Sequence, residues 1–146
     1  MWKREVAAVA VVMVCGTAAA CSGTEAGFGI PRQPSPSAFA GQRQAIVGVV
    51  AVQDDGCVDL DMGQQGRRWI VWPDSTQTEN GGASIVVGGR VVADGDALRG
   101  SGMVADGSQL NGWGKAYGVP LEMFGEYCSA DKLGVVVLDD AEVRAG

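Results

Sequence analysis

An apolar run from Val6 to Cys15 follows the basic pair Lys3-Arg4 and gives way to small residues, Gly16 to Ala20. That layout is the one a secretory signal peptide has, and it assigns residues 1–20 to export. As a helix, the stretch from Val6 to Ala20 would reach about 22 Å, short of a hydrocarbon layer of roughly 30 Å, so a retained transmembrane span is the weaker reading. Between Ser22 and Arg43 apolar periodicity is missing, and Pro31, Pro34 and Pro36 interrupt any helix or central strand. Residues 21–43 therefore read as a flexible linker, with a root-mean-square span of about 25 Å.

From Gln44 onward the pattern becomes that of short strands. Ala45 to Val52 is a β-branched run closed by the turn residues Asp54-Asp55-Gly56, and Cys57 to Asp61 alternates apolar and acidic positions. A glycine-rich turn, Gly63 to Gly66, leads into Arg67–Trp72, which Pro73 ends. These three runs predict an antiparallel meander. Asp74 to Gly82 reads as a polar loop. Ala83–Val87 and Arg90–Ala93 then flank Gly88-Gly89, a glycine hairpin signal. Ala97–Ala105 predicts a strand that Gly100 and Gly102 bend or bulge. Asp106–Val119 reads as irregular, Pro120–Tyr127 as a short helix with proline in its first turn, and Leu133–Leu138 as a strand buried on both faces. The polar residues after Asp139 read as a loose tail, 141–146.

Five to seven short strands with tight turns and one short helix predict a mainly β domain over residues 44–140, a small antiparallel β-barrel of OB-like type. A small β-sandwich is the alternative. Gly95-Asp96-Ala97-Leu98, followed by a glycine-bent strand, suits the barrel.

The residues Ala18-Ala19-Ala20-Cys21 resemble the lipobox of bacterial lipoprotein precursors, with Ala18 where that family usually has leucine. The resemblance implies that Cys21 receives a lipid, becomes the first mature residue and tethers the protein to the extracytoplasmic face of a cell membrane. The same alanines also fit an ordinary A-x-A site, which would release a secreted protein. Gly56-Cys57-Val58, Val71-Trp72-Pro73 and Gly95-Asp96 give residues 45–105 a similarity to small uncharacterised exported β-domains of actinobacteria, which implies no activity.

Cysteine counting follows from that resemblance. Of the four cysteines, Cys15 leaves with the signal, and lipidation of Cys21 leaves Cys57 and Cys128 as an even pair. A disulfide between them would close a loop long enough to contribute about 4 kcal/mol by chain entropy. The absence of CxxC spacing argues against a redox-active pair.

Composition narrows the chemistry. The chain has no histidine, which excludes Ser-His-Asp and Cys-His sites and removes the commonest general base and metal ligand. Removing residues 1–20 takes away Lys3, Arg4 and Glu5 and leaves nine basic and sixteen acidic side chains, a net charge of −7. The basic residues are scattered, so a counterion-releasing surface for nucleic acid is not expected. No metal, cofactor or catalytic residue is assigned. Asp59 and Asp61 share a strand face and could work as a carboxylate pair in a small hydrolase or carbohydrate-active enzyme, but such a face is more often simply solvated. Asp54-Asp55 and Asp94-Gly95-Asp96 read as turns, and Glu122 with Glu126 as a solvated helix face. Trp69 and Trp72 should point to opposite faces, one core and one exposed. Trp72, Trp113 and Tyr117 are the candidate ligand-binding residues, able to stack on a sugar ring or another flat group. The resulting expectation is a non-enzymatic envelope lipoprotein that displays a ligand- or partner-binding β-domain on a spacer. Its partners would be the membrane and an envelope protein or carbohydrate. A structural envelope component is the third reading.

Overall fold

The computed structural model describes residues 30–117 and 121–146. The signal segment, Cys21 and Pro120 lie outside the described residues.

The chain is mainly β. In order it forms β1 (Gln44–Val52), β2 (Val58–Asp61), β3 (Arg67–Val71), β4 (Gln77–Glu79), β5 (Ser84–Val87), β6 (Arg90–Val91) and β7 (Ala97–Ala105). Helices α1 (Leu110–Tyr117), α2 (Leu121–Tyr127) and α3 (Ala130–Leu133) follow, and β8 (Val135–Arg144) ends the chain. Five strands make one sheet in the order β1-β2-β3-β8-β7, and β7 pairs back onto β1, so the sheet closes on itself. The predicted meander β1-β2-β3 is antiparallel throughout, whereas β3 and β8 run parallel. Strands β4, β5 and β6 form a separate small sheet. Here β4 occupies part of the stretch expected to be a plain polar loop, its three residues all exposed.

Alternation along the strands divides the core in two. Ile46, Val50, Leu60, Ile70, Leu98, Val136 and Leu138 face the inside of the closed sheet. Trp69, Val71, Met103, Ala105, Val135 and Val137 face outward and are covered by Leu110, Leu121 and Ala130 of the helices and by Phe39. Because both faces of β3 are covered, Trp69 and Trp72 are both buried, and the expectation that one would be exposed is corrected. The run Val135–Leu138 is buried on both faces as the pattern required.

The glycines of β7 sit where β8 comes closest. A Cβ on Gly102 would lie 2.0 Å from the Val137 carbonyl oxygen, and one on Gly100 would lie 2.1 Å from that of Asp140. Between these contacts the register jumps from Ser101↔Asp140 to Gly102↔Leu138, leaving Asp139 as the extra residue of a bulge. The bend expected at Gly100 and Gly102 is thus a close backbone approach with the bulge on the partner strand. The Gly88-Gly89 hairpin is also present: both residues have positive φ, and Val87 pairs with Arg90 across them.

Three boundaries differ from the sequence reading. The tail is not loose, since β8 continues to Arg144 and pairs with β7 as far as Ala97. Ala141 and Val143 turn inward there, against the inner core. The linker ends earlier than expected. Phe39 and Gln33 are fully buried, and Arg32 bridges in parallel to Trp72, so residues 30–43 form a strap packed on the domain. Finally, Leu110–Tyr117 is helical in the stretch that read as irregular, beside the expected helix Leu121–Tyr127.

Candidate functional site

The disulfide predicted from cysteine counting is formed: Cys57 and Cys128 are bonded with their Cα atoms 5.6 Å apart. It ties the turn that starts β2 to the end of α2, two segments 71 residues apart in sequence. That bond forms part of the wall of a cavity of about 190 Å³.

The cavity lies where pairing in the closed sheet gives out. β2 and β3 pair only up to Asp59↔Trp69, and Ile70 and the residues after it continue without β2 beside them. Other segments complete the wall. Ile30 and Pro31 of the strap lie along Trp72, whose N–H donates to the Pro31 carbonyl at 2.8 Å while the Gln33 N–H donates to the Trp72 carbonyl at 2.9 Å. Gly82, Ala83, Ser84, Ile85 and Val92 approach from the small sheet. Phe124, Tyr127 and Cys128 approach from α2 and the residue after it, and Val52 and Val58 from the ends of β1 and β2. Among the described residues none of the lining side chains is charged, and Ser84 and Tyr127 supply hydroxyls.

Of the three candidate aromatics, only Trp72 lines this cavity. Trp113 stacks on Phe39 with ring centroids 4.5 Å apart and planes within 2°. Tyr117 tilts against the same ring at 5.3 Å, and its hydroxyl donates to the Ala38 carbonyl at 2.6 Å. Trp113 and Tyr117 therefore hold the strap against α1, on the opposite face of β3 from Trp72. Trp69, Phe124 and Tyr127 are the cavity aromatics the sequence reading did not single out. The signal of Phe124 and Tyr127 in sequence was weak, because α2 meets the turn before β2 through long-range contacts, the disulfide and the bond from the Tyr127 hydroxyl to the Asp55 carbonyl at 3.3 Å.

The acidic candidates separate as well. Asp59 is buried and Asp61 exposed, and neither lines the cavity. Burial pushes the Asp59 carboxyl above its ordinary range, the positive charge of Arg67 opposes this, and Asp55 adds to the rise. Its Oδ1 has no hydrogen-bond partner among the described residues. Asp61 accepts from the Gly63 N–H at 2.9 Å and Asp55 from the Cys57 N–H at 3.0 Å, both local turn contacts, while Asp94 accepts from the Val52 N–H at 2.8 Å and ties its turn to the end of β1. Asp96 accepts from the Ala93 N–H at 2.9 Å and from Arg90 at 3.1 Å, the first of which chiefly holds its carboxyl below the ordinary range. Glu122 and Glu126 are exposed, as expected for a solvated helix face.

The most heavily bonded carboxylate is Asp139, in the bulge. Arg43 donates to it through Nε at 2.7 Å and through a second guanidinium nitrogen at 3.2 Å. Gln33 donates to it at 2.9 Å and to the Leu138 carbonyl at 2.7 Å. Burial alone would raise the Asp139 pKa, but hydrogen bonds from Arg43, Gln33 and Ser37 and the charge of Arg43 outweigh it and leave the carboxyl below its ordinary range. This carboxylate is a structural clamp on the strap.

Among the described residues no helix is long and apolar enough to cross a membrane. Comparison of the chain with protein-family models, with curated proteins and with solved structures returned no match.

Proposed function

We propose that this chain is an exported lipoprotein, anchored through Cys21 at the extracytoplasmic face of a cell membrane, whose domain is a small OB-like barrel that binds a small ligand. The observation that carries the binding reading is the uncharged cavity beside Trp72, bounded by side chains from six separate segments. Concave, mainly apolar sites with a few polar groups are where small ligands are usually held. The barrel reading is supported by the ring of pairings β1-β2-β3-β8-β7 and by the parallel β3–β8 pair. The export reading is supported by the Cys57–Cys128 bond, since disulfides persist mainly in oxidising compartments.

Among the described residues no pair of carboxylates lines the cavity, so the hydrolase reading draws no support from the site. Two experiments test the proposal. Mass spectrometry of the mature N-terminus should find a diacylglyceryl thioether on Cys21; a free thiol, or a chain that keeps residues 1–20, defeats the anchor. Native mass spectrometry of protein purified gently from its own envelope should find a small molecule bound in a form lost on unfolding. Only bare protein under those conditions, with no exchangeable ligand recovered, defeats the binding reading.

A further inference from the structure

We propose that the cavity beside Trp72 is a site for a neutral apolar group the size of one aromatic ring, with uncharged aromatic compounds as its ligand class. The proposal rests on the binding reading above and specifies what that site takes. Size is the first argument. The cavity measures about 190 Å³, and an apolar protein cavity of roughly 150 Å³ stays dry and takes up benzene. Chemistry is the second. Among the described residues no charged side chain lines the cavity, so an ionised ligand would lose hydration without gaining a countercharge.

The walls are the third argument. Trp69, Trp72 and Phe124 give the cavity aromatic faces, against which a ring gains offset or edge-to-face contact beyond its buried area. Access is the fourth. Ala83 and Tyr127 are exposed residues at the rim, so a ring can enter past them while the closed sheet stays paired. In sequence Phe28 stands two positions before the lining residue Ile30, so the test includes a variant without that ring.

The test is a titration followed by amide correlation NMR on residues 22–146, which retain every described residue. Fluorobenzene, 4-fluorobenzoate and 1-hexanol are the probes. Fluorobenzene should give saturable shifts at the amides of Val58, Ile70 and Ile85, with 4-fluorobenzoate binding at least about tenfold more weakly because its charge has no partner. Ala83→Phe, which fills the cavity from the exposed rim, should abolish the shifts, and Ile85→Trp should do the same from the small sheet. Benzoate binding as tightly as fluorobenzene, or both filling variants binding unchanged, overturns the proposal. Saturation by hexanol alone overturns the ring class and leaves the binding reading standing, and failure of all three probes in both the native chain and Phe28→Ala overturns the proposal while the native mass spectrometry above decides the binding reading. Binding that appears only in Phe28→Ala also overturns the proposal and makes the chain's own phenylalanine the occupant.

Discussion

The two sides of β3 are packed in different ways. Toward β8, Trp69, Ile70 and Val71 pair in parallel with Val135, Val136 and Val137, with the helices over one face and the sheet interior over the other. Val135 to Leu138 are completely buried there. Toward β2, pairing stops at Asp59↔Trp69, and past that point the wall is completed by the strap, the small sheet, α2 and a disulfide. A ladder fixes strands about 4.8 Å apart and brings their side chains into contact. Segments that only lean on one another have no such fixed spacing, and there a cavity is left. The sealed side supplies stability, and the side assembled from separate segments leaves the cavity.

Breaking each side should show that division. Leu138→Ala, on the sealed side, should cost about 2–5 kcal/mol in urea unfolding, the usual range for a buried leucine. Val52→Ala at the cavity rim, where the side chain is 41 % exposed, should cost well under that in the same measurement. Replacing Cys57 and Cys128 together by serine should cost about 4 kcal/mol by the loop-closure estimate, and should weaken ligand uptake because α2 is no longer tied to β2.

The strap can be broken as well. A chain cut to residues 44–146 loses the buried Phe39 ring and all three donors to Asp139, and should melt well below residues 30–146 in a circular-dichroism scan. Loss of the phenylalanine alone is worth about 3–5 kcal/mol before the remaining chain relaxes. Equal melting temperatures would return residues 30–43 to the role of a spacer.

Buried Asp59 and half-buried Asp139 should respond to pH with opposite signs. Asp139 has a depressed pKa, so its contribution is complete above the ordinary carboxylate value of about 3.9 and is lost as pH falls through the folded value. Unfolding followed from pH 7 down to pH 2 should show that loss, and Asp139→Asn should remove it. Asp59 has a raised pKa, so it costs stability at neutral pH and costs none once it is protonated in both states. Asp59→Asn should therefore raise the melting temperature slightly at pH 7, with the gain vanishing near pH 3. A loss at pH 7 would show that Asp59 has a partner worth more than its burial costs.

Much of the sheet could be read from the chain because alternation and turn chemistry are local. The β-branched run at Ala45–Val52, the Gly88-Gly89 hairpin and the apolar Val135–Leu138 each carry their own signal. The end of β8 was also readable: Ala141 and Val143 alternate with Asp140, Glu142 and Arg144, and the acidic residues masked that pattern. The strap was not readable. Phe39 and Gln33 are buried by partners about a hundred positions away, such as Leu138 and Asp139, and three prolines between Ile30 and Ser37 look like a spacer. Helix α1 was hidden by Gly112 and Gly114, which lower helix propensity where packing against α2 decides the outcome.

The candidate site was legible in one residue. Trp72 faces the cavity, and Trp113 and Tyr117 do not, because they sit over Phe39 on the other side of β3. The remaining walls are contributed by segments that only the closed sheet and the Cys57–Cys128 bond bring together, and no spacing along the chain encodes that meeting.

Diffraction from crystals pressurised with xenon tests the central claim most directly, since xenon enters dry apolar cavities and avoids hydrated ones. The account predicts one strong xenon peak between Trp72 and Ile85, in contact with the Cys57–Cys128 bond. Ordered water at that position, or xenon sites elsewhere and none there, would contradict it.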